Sequence, residues 1–154
     1  MLQFDVNFGA LEAALDGVVT KAEKAARLAA RTGSQVYYQA VLNTVPVSKH
    51  GHWFQGTSAK AATGKEAKRK ASYWFESGSL KGAVYQVLAK ESTPRNVEYQ
   101  VAWNHRKVPY GFMVVYGTKK PTKPNPFVSK AETSTKAAAE AAMKAKFDEV
   151  MRRG

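Results

Sequence analysis

Cysteine is absent from this chain of 154 residues. Disulfides, thiolate metal sites and cysteine nucleophiles are therefore excluded together. Long apolar runs are also missing, because no stretch approaches the roughly 20 residues that a helix needs to cross a bilayer. The first seven residues contain no Lys or Arg, so they lack the basic region that opens a signal peptide. We therefore expect a protein that folds in the cytoplasm and has no membrane partner.

Acidic residues are scarce, since 12 of them stand against 24 Lys and Arg and leave a formal charge of +12. Residues 1–48 hold four basic and four acidic groups, so the whole excess lies in residues 49–154. This asymmetry favours contact with a polyanion, usually nucleic acid, or with an acidic protein surface. Improved solubility alone is the alternative explanation.

The composition is that of a globular protein, with 44% hydrophobic and 11% aromatic residues. At this length one domain has a substantial hydrophobic core, so we expect residues 1–154 to form a single domain. No internal repeat is visible.

The first segment carries apolar residues at helical spacing, namely Phe8, Leu11, Leu15, Val18, Ala22, Ala25 and Ala29. This pattern predicts a long N-terminal helix that Pro46 stops. We expect a kink or break near Gly33, because glycine costs about 1 kcal/mol against alanine in a helix interior. These residues form an apolar stripe along one side of the helix, with large residues at its start and alanines at its end. Such a stripe allows the helix to pack closely against another element, either in the same subunit or in the next.

The apolar periodicity then disappears. We expect a mobile basic loop or arm at about residues 48–72, because this segment is rich in Gly, Ser, Thr, Lys and Ala. Its candidates for contact with DNA or with a neighbouring subunit are Lys60, Lys65, Lys68, Arg69 and Lys70. A solvated charged arm without a partner is the alternative.

The middle of the chain has strand signals. The aromatic residues 73–75 return the chain to the core as a short strand. Alternating apolar and polar residues predict two further strands, from Tyr85 to Ala89 and from Val97 to Trp103, joined by a hairpin loop that contains Pro94.

The last third contains a short apolar element from Tyr110 to Tyr116, a proline-containing loop and an alanine-rich helix from about Phe127 towards Arg152. The predicted fold class is therefore α+β, with a long N-terminal helix, a small antiparallel sheet and a C-terminal helix.

Residues that carry catalytic chemistry are not grouped in this sequence. His50 and His52 flank Gly51, but two imidazoles need further ligands to hold a metal ion, and the nearest acid in sequence is Glu66. We expect a polar loop there. No acidic pair or Ser/His/Asp grouping accompanies His105, and the glycine-rich phosphate-binding motifs are absent. The sequence therefore predicts neither an enzyme nor a bound metal or cofactor.

Residues 108–128 carry a resemblance to a known family. They read Val108-Pro-Tyr110-Gly-Phe112-Met-Val-Val115-Tyr116-Gly117-Thr118, a Lys/Pro loop and Pro126-Phe127-Val128. This resembles the neck or tail-completion family of bacteriophage head-tail joining proteins, with its aromatic-Gly-Thr triplet and its Pro-Phe before the last helix. The family's Pro-Val and Gly-x-Leu elements are matched by Val45-Pro46-Val47 and by Gly78-Ser79-Leu80, the second of which is expected to start a strand.

The motif also makes physical sense without the family. Gly117 can adopt positive φ and turn the chain, the Thr118 hydroxyl can cap, and Pro126 with Phe127 defines a helix start that is pinned to the core. The resemblance implies a conserved-shape element near an interface, formed by Tyr110, Phe112, Tyr116, Gly117, Thr118, Pro126 and Phe127.

The resemblance implies a structural virion protein of the phage neck, located in the virion and, during assembly, in the host cytoplasm. Its copies would form a homo-oligomeric ring, a hexamer, within the head-tail connector. The implied partners are the head-closure or adaptor ring, the tail terminator or tail tube protein, and DNA in the channel, contacted without sequence preference.

Two departures from the family pattern stand out. Val115 occupies a position where such proteins often have glutamate, so no salt bridge from that acid is expected here. The segment between Pro46 and Gly78 is longer than the family core needs. Two alternatives remain open: a tail terminator ring that caps the tail tube, and a non-specific DNA-binding protein, which explains the charge but neither the Gly-Thr nor the Pro-Phe element.

Overall fold

The computed structural model describes residues 8–57, 70–118 and 123–153. The elements in chain order are α1 (Phe8–Thr44), β1 (His52–Thr57), β2 (Lys70–Phe75), α2 (Ser79–Gly82), β3 (Val84–Leu88), β4 (Tyr99–Trp103), α3 (Gly111–Tyr116) and α4 (Phe127–Arg152). The α+β class is confirmed, with the strands arranged as two separate pairs. No helix in these ranges is both long and apolar enough to span a membrane.

Internal contacts divide the chain into two compact units. Of the described residues, those within 1–39, 86–101 and 133–154 form unit 1, and those within 40–85 and 102–132 form unit 2. The chain passes from one unit to the other inside α1, β3, β4 and α4, so the units are not consecutive segments. The prediction of a single domain stays a prediction.

Unit 1 is built on close contact between α1 and α4. Ala25 and Ala29 of α1 are buried, and a Cβ atom at Gly33 would overlap the Met143 side chain. The Lys21 ammonium group donates a hydrogen bond to the Met151 carbonyl at 2.8 Å. Of the kink or break expected near Gly33, the break is wrong, because α1 continues without interruption from Phe8 to Thr44; the kink stays a prediction. The missing side chain permits close helix packing instead.

The core of unit 2 surrounds the start of α4. Its buried apolar residues are Val41, Val45, Leu80, Ala83, Val84, Val108, Phe127 and Ala131. α1 ends at Thr44, as the proline at 46 predicted. The Thr44 hydroxyl donates to the Phe127 carbonyl at 3.2 Å, which links the end of one helix to the start of the other.

The pair β3–β4 confirms the predicted hairpin. Two backbone hydrogen bonds flank the ladder, from Ala89 N to Glu98 O and from Asn104 N to Ala83 O, each 2.9 Å long. Between these two bonds the residue number falls along β3 while it rises along β4, so the two strands are antiparallel.

Part of the segment predicted as a loop at 48–72 is a strand pair. β1 and β2 are antiparallel, with register from His52↔Phe75 to Thr57↔Lys70. The short strand expected at 73–75 is confirmed as the end of β2. The prediction overlooked β1 because its short aromatic run lies between Gly51 and Gly56, which hide the alternation. Residues 58–69, which join the two strands, lie outside the described residues.

Two further expectations concern local structure. Gly78-Ser79-Leu80 does not start a strand: Gly78 has φ 82° and is followed by the short helix α2, where the Ser79 hydroxyl donates to the Glu76 carbonyl at 2.7 Å. The apolar element at 110–116 is also helical, as α3. Both segments are too short for hydrophobic periodicity to identify a helix. Their conformation depends on the hydrogen bonds of one or two helical turns.

Candidate functional site

The Tyr110 ring lies at the centre of an aromatic cluster in unit 2. Its centroid is 4.8 Å from that of His52 and 4.9 Å from that of Phe75, both in edge-on geometry, and 6.2 Å from that of Phe54. Edge-on rings at these separations attract one another through their quadrupoles. Residues 108–128, which we call the family-like segment, therefore contact the strand pair β1–β2 through the Tyr110 ring. The sequence did not predict this contact.

Burial raises the pKa of the Tyr110 phenol above its ordinary value of 10.0, although a hydrogen bond with the Leu80 backbone lowers it in part. The neutral phenol is thus the form that the folded chain favours. Tyr110 is a structural anchor at this place, because its half-buried ring contacts three neighbouring rings and its hydroxyl is hydrogen-bonded to the Leu80 backbone.

The opposite face of the strand pair presents two tryptophans. Trp53 and Trp74 are direct cross-strand partners, with ring centroids 5.4 Å apart. They are 66% and 47% exposed. The Trp74 indole covers Gly51, where a Cβ atom would overlap it, and its Nε1 donates to the Glu76 carboxylate at 2.7 Å. These contacts fix the orientation of Trp74 while its outer surface stays open. We call this surface the tryptophan face.

α3 carries a second exposed aromatic group. Phe112 and Tyr116 are stacked, with ring centroids 6.4 Å apart and planes 11° apart, and Tyr116 is 72% exposed. On its other side Phe112 meets Trp103 at 5.3 Å in an edge-on arrangement. Gly111 permits this approach, because a Cβ atom there would overlap the Trp103 indole nitrogen. α3 therefore holds two aromatic rings at the surface in a defined geometry.

The turn after α3 returns the chain to the core. Gly117 has φ 76° and ψ 179°, a conformation that is almost restricted to glycine. Asn125 N then donates to the Val114 carbonyl at 2.9 Å, and Phe127 opens α4 with no exposed surface. Residues 119–122 of the intervening loop lie outside the described residues. Pro126 is half-buried and Thr118 is exposed.

The predicted site residues thus fall into two groups. Tyr110, Pro126 and Phe127 face the interior or are partly enclosed, whereas Phe112, Tyr116 and Thr118 lie at the surface on either side of Gly117. Of the predicted basic contacts, Lys70 begins β2. The others lie outside the described residues, namely Lys60, Lys65, Lys68 and Arg69.

The tryptophan face was missed at the level of the sequence. A signal was present, because aromatic residues at 53–54 are followed by a second aromatic run at 73–75. Two short runs that are rich in aromatic residues are typical of a pair of strands. The long polar stretch between them obscured the pairing.

A third exposed apolar surface lies in unit 1. Leu15 and Val18 of α1 are each 56% exposed, and Val19 is also exposed. Their spacing places them on one side of the helix. Leu15 and Val18 of the stripe therefore face solvent, whereas its alanines Ala25 and Ala29 are buried. We call the surface of Leu15, Val18 and Val19 the α1 face.

The described residues hold no group of three or more His, Cys, Asp or Glu side chains that would bind a metal ion. His105 follows β4 in a turn, and its ring lies 6.2 Å from that of Phe112.

Comparison of the chain with protein-family models, curated proteins and solved structures gives no match.

Proposed function

We propose that this chain is a structural protein of the bacteriophage neck, whose copies form a ring that joins the DNA-filled head to the tail. The observation that carries the proposal is the exposure of large apolar side chains in three segments of one small protein. These are Leu15, Val18 and Val19 in α1, Trp53, Tyr73 and Trp74 in the strand pair, and Phe112, Met113 and Tyr116 in α3.

Exposed apolar side chains in groups favour an assembly. Single apolar residues at a surface are common, but a contiguous group generally marks a binding surface. A ring subunit needs two different surfaces that meet on neighbouring copies and close by rotation. Several distinct exposed groups on one chain satisfy that requirement, and large aromatic residues are enriched at such interfaces.

The family-like segment supports the specific assignment to the neck. Its buried residue Phe127 and the turn at Gly117 hold α3 in place, and α3 presents Phe112 and Tyr116 outwards. A rigid element with exposed aromatic rings suits a docking face for the adjoining ring or the tail. The proposed partners are further copies of the chain, six to a ring, the head-closure ring, and the tail terminator or tail tube protein, with DNA passing through the channel.

The first test is the oligomeric state of the purified chain. Native mass spectrometry and electron microscopy are expected to reveal a closed ring, and Tyr116→Ala is expected to leave the monomer folded but to weaken attachment to heads or tails. Lys136→Ala on α4 is the matched control, because this residue is also exposed and lies far from α3 in sequence. A chain that stays monomeric and binds DNA with strong salt dependence contradicts the proposal and indicates the DNA-binding alternative.

A further inference from the structure

We infer that the tryptophan face binds an arginine side chain of a partner protein, whose guanidinium group stacks on the indole rings and pairs with the Glu76 carboxylate. The site lies in the strand pair β1–β2 and the residue that follows it, all within unit 2. It does not depend on the neck role, and it adds to the proposed function the chemistry of the group that this surface takes.

Trp53 and Trp74 form two sides of an open corner. Their ring centroids are 5.4 Å apart, their planes are inclined at 62°, and both rings are exposed. The face of an indole ring carries negative potential, so it attracts a cation that lies within about 6 Å of the ring centroid. Two inclined rings at one place therefore favour a cationic group in the corner between them.

The Glu76 carboxylate supplies a full negative charge at this corner. Its Oε1 atom accepts a hydrogen bond from Trp74 Nε1 at 2.7 Å, so the charge lies at the edge of that indole ring. No ion pair joins Glu76 to any residue that the structure describes. A cation over the indole ring would therefore also lie near a carboxylate that still lacks a counter-charge.

The groups of this corner are held in place by the chain itself. The Glu76 carbonyl accepts hydrogen bonds from the Ser79 N–H at 3.1 Å and from the Ser79 hydroxyl at 2.7 Å. Trp74 covers Gly51, where a Cβ atom would overlap its ring, and it pairs directly with Trp53 across the two strands. Because these contacts already order the site, little conformational entropy is lost when a partner binds.

Arginine fits this arrangement better than other groups. Its planar guanidinium group stacks on aromatic faces and presents several N–H donors to a carboxylate, whereas lysine is a compact and strongly hydrated charge. Nucleic-acid bases could also stack on tryptophan, but the carboxylate of Glu76 would repel their phosphates. A purely apolar partner would cover this carboxylate without a counter-charge, which costs free energy.

NMR of the indole N–H groups tests the site, because the chain has three tryptophans and each gives one signal. The full chain is titrated with N-acetyl-arginine amide, and the neutral citrulline analogue is the matched control ligand. We expect the Trp53 and Trp74 signals to shift with the arginine analogue and to saturate at millimolar concentration. The Trp103 signal is expected to stay in place, because its Nε1 atom is buried.

Two substitutions separate the charge from the ring. Glu76→Gln keeps an oxygen that can accept the hydrogen bond of Trp74 but removes the charge, and Trp53→Leu keeps an apolar side chain but removes the indole. Each is expected to weaken binding of the arginine analogue about threefold or more. Glu98→Gln is the control, because Glu98 is an exposed acid of unit 1; it is expected to leave the affinity unchanged.

Equal affinity for the citrulline analogue, or unchanged affinity in Glu76→Gln, overturns the arginine site while the neck proposal stands. Choline that binds more tightly than the arginine analogue also overturns it and indicates a free organic cation. Single-stranded DNA that shifts the Trp53 and Trp74 signals where the arginine analogue does not would assign this surface to nucleic acid. Signals that move on dilution of the unmodified chain, but not of Glu76→Gln, support the arginine site with a second copy as the partner.

Discussion

Gly33 of α1 lies directly against Met143 of α4, at a distance that leaves no room for a side chain at position 33. A Cβ atom there would come within 3.2 Å of the Ala139 carbonyl as well as overlapping Met143. The residue that the helix propensity scale identifies as a weak point is thus the one that allows α1 and α4 to approach closely.

Gly33→Ala is therefore expected to destabilise the fold. Alanine normally gains about 1 kcal/mol over glycine in a helix interior, but overpacking at this contact costs about 1–3 kcal/mol. Urea unfolding measures the difference. Gly17→Ala is the control in the same helix, because a Cβ atom there would meet no described atom within 4 Å apart from its chain neighbours and the surrounding helix backbone; it is expected to stabilise the fold. Equal effects of the two substitutions would contradict the close contact.

Gly117→Ala tests the turn after α3. At φ 76° and ψ 179° an alanine is strained, and we expect a loss of about 1–3 kcal/mol in the free energy of unfolding. Gly82→Ala serves as control, because it has open space around its Cβ position. A Gly117→Ala protein with unchanged stability would show that the turn tolerates side chains.

Phe127→Ala and Tyr116→Ala separate folding from assembly. Phe127 has no exposed surface and packs on Trp103, with ring centroids 5.9 Å apart, so its truncation is expected to cost about 3–5 kcal/mol. Tyr116 is 72% exposed, and its truncation is expected to change monomer stability by less than about 0.5 kcal/mol. Thermal unfolding of dilute protein gives both values, and a large loss with Tyr116→Ala would argue against a docking role.

Alkaline pH is expected to weaken the aromatic cluster through Tyr110. The pKa of this phenol is raised in the folded chain by burial, so its contribution to stability is complete below pH 10 and is lost as the pH rises through the folded value. Unfolding measured at pH 9 and pH 11 is expected to show a larger drop for the native chain than for Tyr110→Phe. Identical drops would mean that the folded chain does not raise the pKa of Tyr110.

The sequence predicted the elements that have a clear period. The stripe of α1, the alternation of β3 and β4 and the start of α4 at Phe127 all carry enough repeats for the hydrophobic pattern to dominate. The break at Gly33 was predicted wrongly because helix propensity is a local quantity, whereas Met143 lies more than 100 residues away in sequence.

The candidate site was predictable only in part. Tyr110 and Phe127 stood out as motif residues, but the association of Tyr110 with His52 and Phe75 depends on a strand pairing across residues 58–69. The sequence alone does not reveal which aromatic side chains are buried and which are exposed. Trp53 and Trp74 became candidates only when the register of β1 and β2 placed them together on an exposed face.

Electron microscopy of phage particles that lack this chain tests the central proposal most directly. We expect DNA-filled heads and separate complete tails, which join when the purified protein is added and do not join when Tyr116→Ala is added in its place. Normal virions in the absence of the chain would contradict the neck assignment, and tails of irregular length would indicate the tail terminator instead.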